Sequence, residues 1–262
     1  STTSIDNGYD GIVYAATVAN CDIVNCSWGR AGGPSSFEND VIDLVTFDYD
    51  ALVVAAAGNS SSDMDHYPSS YPRAFSVAST TITDGKSGFS NYGYNVDIAA
   101  PGSNIYSTVY NNNYVSYSGT SMASPVVAGC AALVKSQFPA MGALQIAEQL
   151  RTTSDNIYTV SGNAAYRDKL GKGRVNLFRA VSDSLSPGVI VEQINTRDGN
   201  DGVFVIGDTL SFVATFKNML RPTTALTCSM TTGTPTYMQV IQSNFNIGAL
   251  GTLDTISNFS VP

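Results

Sequence analysis

Ser121 is the first candidate for chemistry, because it lies in the uncharged stretch GTSMASP (119–125), directly before the apolar residues VVAGCAALV. This pattern predicts a serine at the start of a helix, where backbone N–H groups lack an intrahelical partner and the helix dipole favours negative charge. Such a serine can attack a carbonyl group when a neighbouring base removes its proton. A helix N-cap formed by Ser121 or Ser124 explains the same residues when they are taken alone.

Histidine and cysteine side chains offer few further options for chemistry. His66, in SSSDMDHYP, is the single histidine, and the cysteines form no CxxC pair, so no zinc site is predicted. Four cysteines allow three complete disulfide pairings, between which the sequence does not choose. They are Cys21, Cys26, Cys130 and Cys228. Cys26 and Cys130 lie within apolar stretches, so we expect them to be buried thiols that pack as small hydrophobic residues.

The composition excludes several classes of protein. Of the 262 residues, 43% are hydrophobic and 13% are charged, which is not typical of a disordered chain. The net charge of −8 and the lack of a Lys/Arg cluster argue against a nucleic-acid partner. The longest apolar runs are too short to span a membrane. Abundant Asn, Ser, Thr and Tyr with sparse Lys and Glu favour a secreted or cell-surface protein.

The elements that must position these residues follow an α/β pattern in the first part of the chain. Short apolar runs predict buried strands within 22–27, 51–58, 74–80 and 96–102. Helical patterns occur at 11–18, where Ile12 and Val18 share the apolar face, at 121–136 and at 142–154. The helix at 121–136 is apolar almost all round, so we expect it to be central and buried. Strands that alternate with helices favour a mostly parallel sheet flanked by helices.

The pattern changes near Leu185-Ser186-Pro187. LSFVATF (210–216) and LTCSMT (226–231) alternate apolar and polar residues, which predicts half-buried antiparallel strands. In the first of these strands, Leu210, Phe212, Ala214 and Phe216 should share one face. We therefore predict two domains, an α/β domain at 1–184 and an Ig-like β-sandwich module at 187–262 that ends partway through a strand. Asn111-Asn112-Asn113 predicts a hairpin turn within the first domain.

Several blocks of the sequence, in order, resemble the subtilisin-like serine peptidases, or subtilases. The segment around Ser121, GTSMASPVVAGCAALV, is similar to the nucleophile segment of that family. The other blocks are GYDGIVYAATVANCDIVNCSWG, VVAAAGNS, HYPSSYPRAFSVAST, FSNYGYNVDIAAPGSNIYST and LGKGRVNLFRAV. The resemblance extends from about residue 6 to 181 and implies a subtilisin-like sheet without its N-terminal strands.

The resemblance implies a role for each matched position. The Ser121 Oγ atom would attack a peptide carbonyl and form an acyl-enzyme, while Asn59 and the Ser121 N–H would stabilise the oxyanion. Asn59 taken alone also fits a turn residue after Gly58. The residues implied to bracket the substrate as two backbone edges are Ser27, Trp28 and Gly29 on one side and Ala56, Ala57 and Gly58 on the other. Trp28 stands where the family commonly has a small aliphatic residue. Its larger ring would either narrow a substrate subsite or cover the rim of the substrate pocket.

The sequence departs from the family where the catalytic base should be. The family's aspartate and histidine lie upstream of the strand that contains NCSWG, and His66 precedes Tyr67-Pro68 instead of belonging to an HGT-type segment. The resemblance implies that His66 lies near the floor of the pocket that receives the substrate side chain before the scissile bond. A solvated loop histidine is the alternative.

We therefore expect a serine endopeptidase that cleaves polypeptides, with the aspartate and histidine supplied by an N-terminal segment or companion chain. The alternatives are a catalytically inactive scaffold of the same family and an extracellular adhesion or anchoring protein whose working part is the sandwich.

A cation site is a further expectation from the resemblance. The carbonyl groups of Ser69, Tyr71 and Ala74, together with Asp97, match a weak cation site of some relatives. Oxygen ligands would suit Ca²⁺ or Na⁺, which would be structural, because the chemistry needs no cofactor. An ordinary Pro-rich loop with an aspartate at a strand end is the alternative.

Overall fold

The structure is a computed structural model that describes residues 7–199 and 201–258. The chain forms two compact units, one extending to Asp183 and the other beginning at Ser184. The predicted domain boundary near Pro187 lies a few residues after this division between the two units.

The first unit contains five α-helices and eight strands among its described residues. The helices are α1 (Gly8–Thr17), α2 (Ser36–Phe47), α3 (Thr120–Gln137), α4 (Ala143–Thr152) and α5 (Leu177–Ser182), with a 3₁₀ turn at Asn163–Tyr166. The strands are β1 (Ile23–Cys26), β2 (Arg30–Ala31), β3 (Leu52–Ala56), β4 (His66–Tyr67), β5 (Phe75–Thr80), β6 (Ile98–Pro101), β7 (Ile105–Val109) and β8 (Asn113–Tyr117).

The main sheet is parallel, as predicted, and has the strand order β1-β3-β5-β6. All residues of β3 and β5 are buried, because helices or loops cover both faces of the sheet. This burial explains why the two strands are almost continuous runs of apolar and small residues. Arg174, which lies shortly before α5, forms a parallel bridge with Ala99 of β6. No described residue pairs with the outer edge of β1, which is therefore the open edge of the sheet.

Helices pack on both faces of the sheet. On one face, Val127 and Val134 of α3 pack with Leu52 and Val54 of β3. On the other face, helices α1 and α2 cover the intervening strand residues, among them Val53. Alternate residues of one strand thus enter two separate cores, as the period of two in a strand requires.

Two details of the helices differ from the sequence predictions. Helix α3 is covered on one side only, and Leu133 on its outer side is 52% exposed. Alanine and glycine make up much of that outer side, which is why the sequence looked apolar all round. Val18 is 60% exposed, because α1 ends at Thr17 and the predicted apolar face does not continue.

Two small ribbons complete the first unit. Strands β7 and β8 form the predicted hairpin around the asparagine turn. Strands β2 and β4 pair in antiparallel orientation through Arg30–Tyr67 and Ala31–His66. Their two-residue lengths gave no signal in the sequence, yet this ribbon carries the only histidine.

The second unit is made of antiparallel strands. Strands β9 (Val189–Arg197), β10 (Ser211–Asn218) and β13 (Thr255–Ser257) form one sheet in the order β13-β10-β9, and β11 (Thr223–Ser229) pairs with β12 (Asn244–Leu250). The prediction that one face of β10 is buried is wrong in part. Val213 belongs to the other face of the strand, and it is as buried as Phe216. The Ig-like sandwich stays a prediction.

All four cysteines lie within the described residues and are free thiols. Cys26 and Cys130 are buried, as expected, and burial raises the pKa of the Cys26 thiol to about 12. Within the described part of the chain, no helix is both long and apolar enough to cross a membrane.

Candidate active site

The candidate site is a cleft of about 750 Å³ at the carboxyl ends of β1 and β3 and the N-terminus of α3. Ser27 follows β1, Gly58 and Asn59 follow β3, and Ser121 lies in the first turn of α3; all four line the cleft. Carboxyl ends of parallel strands are the usual location of sites in open α/β sheets. The sheet thus brings together residues that lie as much as 94 positions apart in the chain.

Ser121 is held against the loop that follows β1. Its hydroxyl donates a hydrogen bond to the carbonyl oxygen of Ser27 at 3.0 Å. In return, the Ser27 hydroxyl donates to the carbonyl oxygen of Ser121 at 2.9 Å. That carbonyl has lost its helical partner, because Pro125, four residues later, has no N–H group. Ser27 therefore replaces the missing hydrogen bond.

The amide of Asn59 is oriented by Thr120. The Asn59 Oδ1 atom accepts hydrogen bonds from Thr120 N at 2.8 Å and from Thr120 Oγ1 at 2.9 Å. Because a backbone N–H can only donate, the atom that Thr120 N contacts must be the amide oxygen of Asn59. The amide nitrogen, Nδ2, is then on the other side of the group and can donate to a substrate. The Thr120 Oγ1 atom also accepts from Gly58 N at 3.1 Å, so one threonine orients two consecutive residues of the loop.

The two expected oxyanion donors converge beside Gly119. The point at which a side chain of Gly119 would begin lies 3.6 Å from Asn59 Nδ2 and 3.6 Å from Ser121 N. Both groups are donors, and Ser121 N belongs to the same residue as the candidate nucleophile. The arrangement can therefore stabilise a negative oxygen that develops on a carbonyl attacked by Ser121.

Sequence reasoning missed the side chains that support this loop. Asn91 is buried, and its Nδ2 atom donates to Ala57 O at 2.9 Å while its Oδ1 atom accepts from Ser60 N at 2.8 Å. Asn91 also lies against Gly58, which has a φ of 102° that disfavours any residue with a side chain. For Thr120, its place beside Ser121 was the available signal; for Asn91 there was none.

The two predicted substrate edges face each other across the cleft, which is lined by Ser27, Trp28, Gly29, Ala56 and Gly58. Ala57, the remaining residue of the second edge, is buried beneath it. The Trp28 ring packs against the first turn of α1, where its centroid lies 5.4 Å from that of Tyr9 in an edge-to-face arrangement. Trp28 thus lines the cleft beside the first turn of α1, whose residues Gly8, Tyr9 and Asp10 line it as well.

His66 lies in the cleft, between the two edges. A side chain on Gly29 would begin 2.2 Å from His66 Cε1, and one on Gly58 would begin 3.0 Å from His66 Cδ2. Burial lowers the pKa of His66, although donation to the Ala56 carbonyl opposes this effect. The Nδ1 atom is buried without a hydrogen-bond partner. Because its ring packs against Gly29 and Gly58 and its Nδ1 atom is enclosed, His66 is not placed as the base for Ser121.

A charged cluster missed by sequence reasoning forms one end of the cleft. Glu38 of α2 accepts hydrogen bonds from Arg30 Nη2 at 2.6 Å, Tyr71 Oη at 2.5 Å and Tyr9 Oη at 3.0 Å. Burial disfavours the charged form of Glu38, but the bonds from Arg30 and the two tyrosines outweigh this effect and lower its pKa. The cluster joins α1, α2, strand β2 and the loop after β4.

The predicted cation residues are already engaged with one another and with an arginine. Asp97 Oδ2 accepts from Ser76 N at 2.8 Å, and Asp97 Oδ1 lies 3.7 Å from Arg151 Nη1. The Tyr71 carbonyl accepts from Ala74 N at 3.0 Å. A guanidinium thus already supplies positive charge at Asp97. The cation site, which includes Ser69, stays a prediction.

Comparison with known proteins places the first unit in a family. Residues 2–180 match the family model described as the Subtilase family. The chain is 43% identical over 172 residues to thermitase of Thermoactinomyces vulgaris, covering 66% of this chain and 58% of thermitase. It is 38% identical over 173 residues to alkaline elastase YaB of Bacillus sp. strain YaB, covering 66% of this chain and 43% of that enzyme.

A solved structure supports the same assignment. The fold is similar to that of a protease from Pseudoalteromonas arctica, with a TM-score of 0.59 and 30% identity, covering 66% of this chain and 57% of that one. The chain spans about half the length of these relatives. Because the family model matches more than half of the chain, the chain belongs to the subtilase family of serine peptidases.

Proposed function

We propose that this chain is the nucleophile-bearing part of a serine endopeptidase that cleaves polypeptides through an acyl-enzyme on Ser121. One observation carries the proposal: Asn59 Nδ2 and Ser121 N lie at equal distance, 3.6 Å, from the point at which a side chain of Gly119 would begin. A helix N-cap alone would give no reason for Thr120 to orient the amide of Asn59 toward that point.

In the proposed mechanism, Ser121 Oγ attacks the substrate carbonyl carbon as a base removes its proton. The carbonyl π electrons move to oxygen, and Asn59 Nδ2 and Ser121 N donate to the resulting oxyanion. The C–N bond then breaks, and the amine leaves with the proton that the base returns. Water releases the acyl group from Ser121 by the same steps in reverse order.

The base and its orienting aspartate come, in this proposal, from a segment outside the 262 residues. His66 is the only histidine of the chain, and the packing of its ring against Gly29 and Gly58 supports a base from elsewhere. The open edge of β1 supports pairing of a further strand there, next to Ser27 and Ser121. An N-terminal segment or a companion chain could supply that strand.

Substrate would bind as an extended strand between the edges Ser27–Gly29 and Ala56–Gly58. Backbone hydrogen bonds to such edges give affinity for any sequence, and the cleft between them then sets the side-chain preference. The proposed enzyme needs no cofactor for chemistry. We include secretion in the proposal because Asn, Ser, Thr and Tyr are abundant in the chain while Lys and Glu are sparse.

A fluorophosphonate probe tests the proposal, because it reacts efficiently only with a serine that a working base activates. We expect one adduct on Ser121 when the full-length protein that carries this chain is treated and its mass is measured. The Ser121→Ala variant should gain no mass. The control Ser136→Ala, at an exposed position of the same helix, should label like the wild type.

Labelling at another residue, or no labelling of the folded full-length protein, would contradict the proposal. The second result would favour the inactive scaffold or the adhesion protein considered above.

A further inference from the structure

We infer that His66 closes the pocket for the residue just before the scissile bond, so that the enzyme cleaves after small side chains such as Gly, Ala and Ser. This inference rests on the proposed function and adds its substrate class. Its basis is the position of the imidazole ring between two glycines of the cleft.

The reacting geometry decides where that substrate side chain must go. Its carbonyl carbon must meet Ser121 Oγ, and its carbonyl oxygen must meet Asn59 Nδ2 and Ser121 N. A side chain on the same residue begins only two bonds from that carbonyl carbon. It therefore enters the adjoining space between Ser27–Gly29 and Ala56–Gly58.

The imidazole of His66 stands across this space. Its Cε1 and Nδ1 atoms lie 2.2 and 2.7 Å from where a side chain of Gly29 would begin. Its Cδ2 and Cγ atoms both lie 3.0 Å from the corresponding point on Gly58. The ring thus touches both walls at once, and only because both positions are glycine can it fit there. A substrate ring would need the volume that this ring already fills.

The ring is also fixed, so a bulky substrate cannot push it aside at low cost. The ring is enclosed, since its Nδ1 atom is buried. The backbone of His66 is bound on both sides, by donation of its N–H to Ser70 Oγ at 2.9 Å and by acceptance at its carbonyl from Ser69 Oγ at 2.5 Å. Strand β4 is paired with β2, whose Arg30 is held by Glu38.

The test compares peptide substrates that differ only in the residue before the scissile bond, alanine or phenylalanine, with the full-length protein. We expect kcat/KM to be at least about 10-fold higher for alanine, because a phenylalanine ring would need the volume that the His66 ring fills, and a misfit of even one methylene in a pocket is worth about 10-fold or more. In His66→Gly, the Phe/Ala ratio of kcat/KM should rise at least about 10-fold. The matched control Met64→Ala, at an exposed position of the same loop, should leave that ratio unchanged.

The wild-type comparison tests the inference without any variant, and His66→Ala serves where His66→Gly fails to fold. Wild-type enzyme that prefers phenylalanine, or a His66 variant whose ratio does not change, would overturn the inference while Ser121 labelling upholds the proposed function. Failure of both labelling and hydrolysis would overturn the two together.

Discussion

At the scale of single residues, the site depends on side chains that orient other side chains. Thr120 fixes the amide of Asn59 through two hydrogen bonds, and Ser27 replaces the helical bond that Pro125 removes. Each contact holds a group that would touch the substrate in the orientation that the proposed chemistry needs. Preorganised donors of this kind are effective because they need not reorient as charge develops.

The substitution Asn59→Leu removes one of the two expected oxyanion donors. We expect kcat for peptide hydrolysis to fall by about 10²–10³, the range found for the equivalent donor of subtilisin itself, with little change in KM. Steady-state kinetics of the full-length protein on a short peptide measure both constants. A loss confined to KM would mean that Asn59 binds substrate but does not stabilise the transition state.

At the scale of secondary-structure elements, the cleft is assembled by a charged cluster. Glu38 joins α2 to Tyr9 of α1, to Arg30 of β2 and to Tyr71 of the loop after β4. The ribbon of β2 and β4 in turn carries His66. The side chain of Glu38 is 15% exposed, so its hydrogen bonds are only weakly screened, whereas Arg30 is 42% exposed and its charge is screened more.

The substitution Glu38→Gln should lower stability at neutral pH by about 1 kcal/mol, because hydrogen bonds to a charged acceptor are stronger than those to an amide. Folding lowers the pKa of Glu38 from its ordinary value of 4.5. Its contribution is therefore fully present above about pH 4.5 and is lost as the pH falls through the lowered, folded-state value.

Thermal unfolding between pH 3 and 8 measures this effect. The difference in Tm between wild type and Glu38→Gln should be largest near pH 7 and should shrink toward pH 3. Asp40→Asn, at an exposed position of the same helix, is the control and should show no comparable pH dependence. A Tm difference that is constant with pH would show that the charge of Glu38 does not stabilise the fold.

At the scale of the whole molecule, the family match and the site fall in one unit. The matched segment, residues 2–180, ends just before the division at Asp183, and every residue that we assign to the cleft precedes that division. The antiparallel strands from Ser184 onward contribute none of those residues. The proposed chemistry therefore requires only the first unit and the segment that supplies the base.

Deletion of residues 184–262 from the full-length protein should leave kcat/KM on short peptides within about two-fold, a change of less than 0.5 kcal/mol in transition-state stabilisation. Circular dichroism of the shortened protein provides the folding control. A large loss of activity in a shortened protein that remains folded would show that the second unit takes part in catalysis.

The sequence by itself determined the parallel sheet and the helix that begins near Ser121, because these features are local. Buried strands are apolar runs, and a helix start has its own residue pattern. Ser121 and Asn59 were recognised through motifs that each occupy a few consecutive residues. The same local reasoning misjudged α3, because small apolar residues on an exposed side look like core residues.

Only the tertiary structure decided what surrounds these residues. The cluster at Glu38 joins residues from four separate elements, and Asn91 supports a loop that lies about thirty positions away from it in the chain. The position of His66 depends on the β2–β4 ribbon, which is too short to leave a periodic pattern. Contacts between distant elements follow from packing, and packing is set by the fold as a whole and not by any local stretch of sequence.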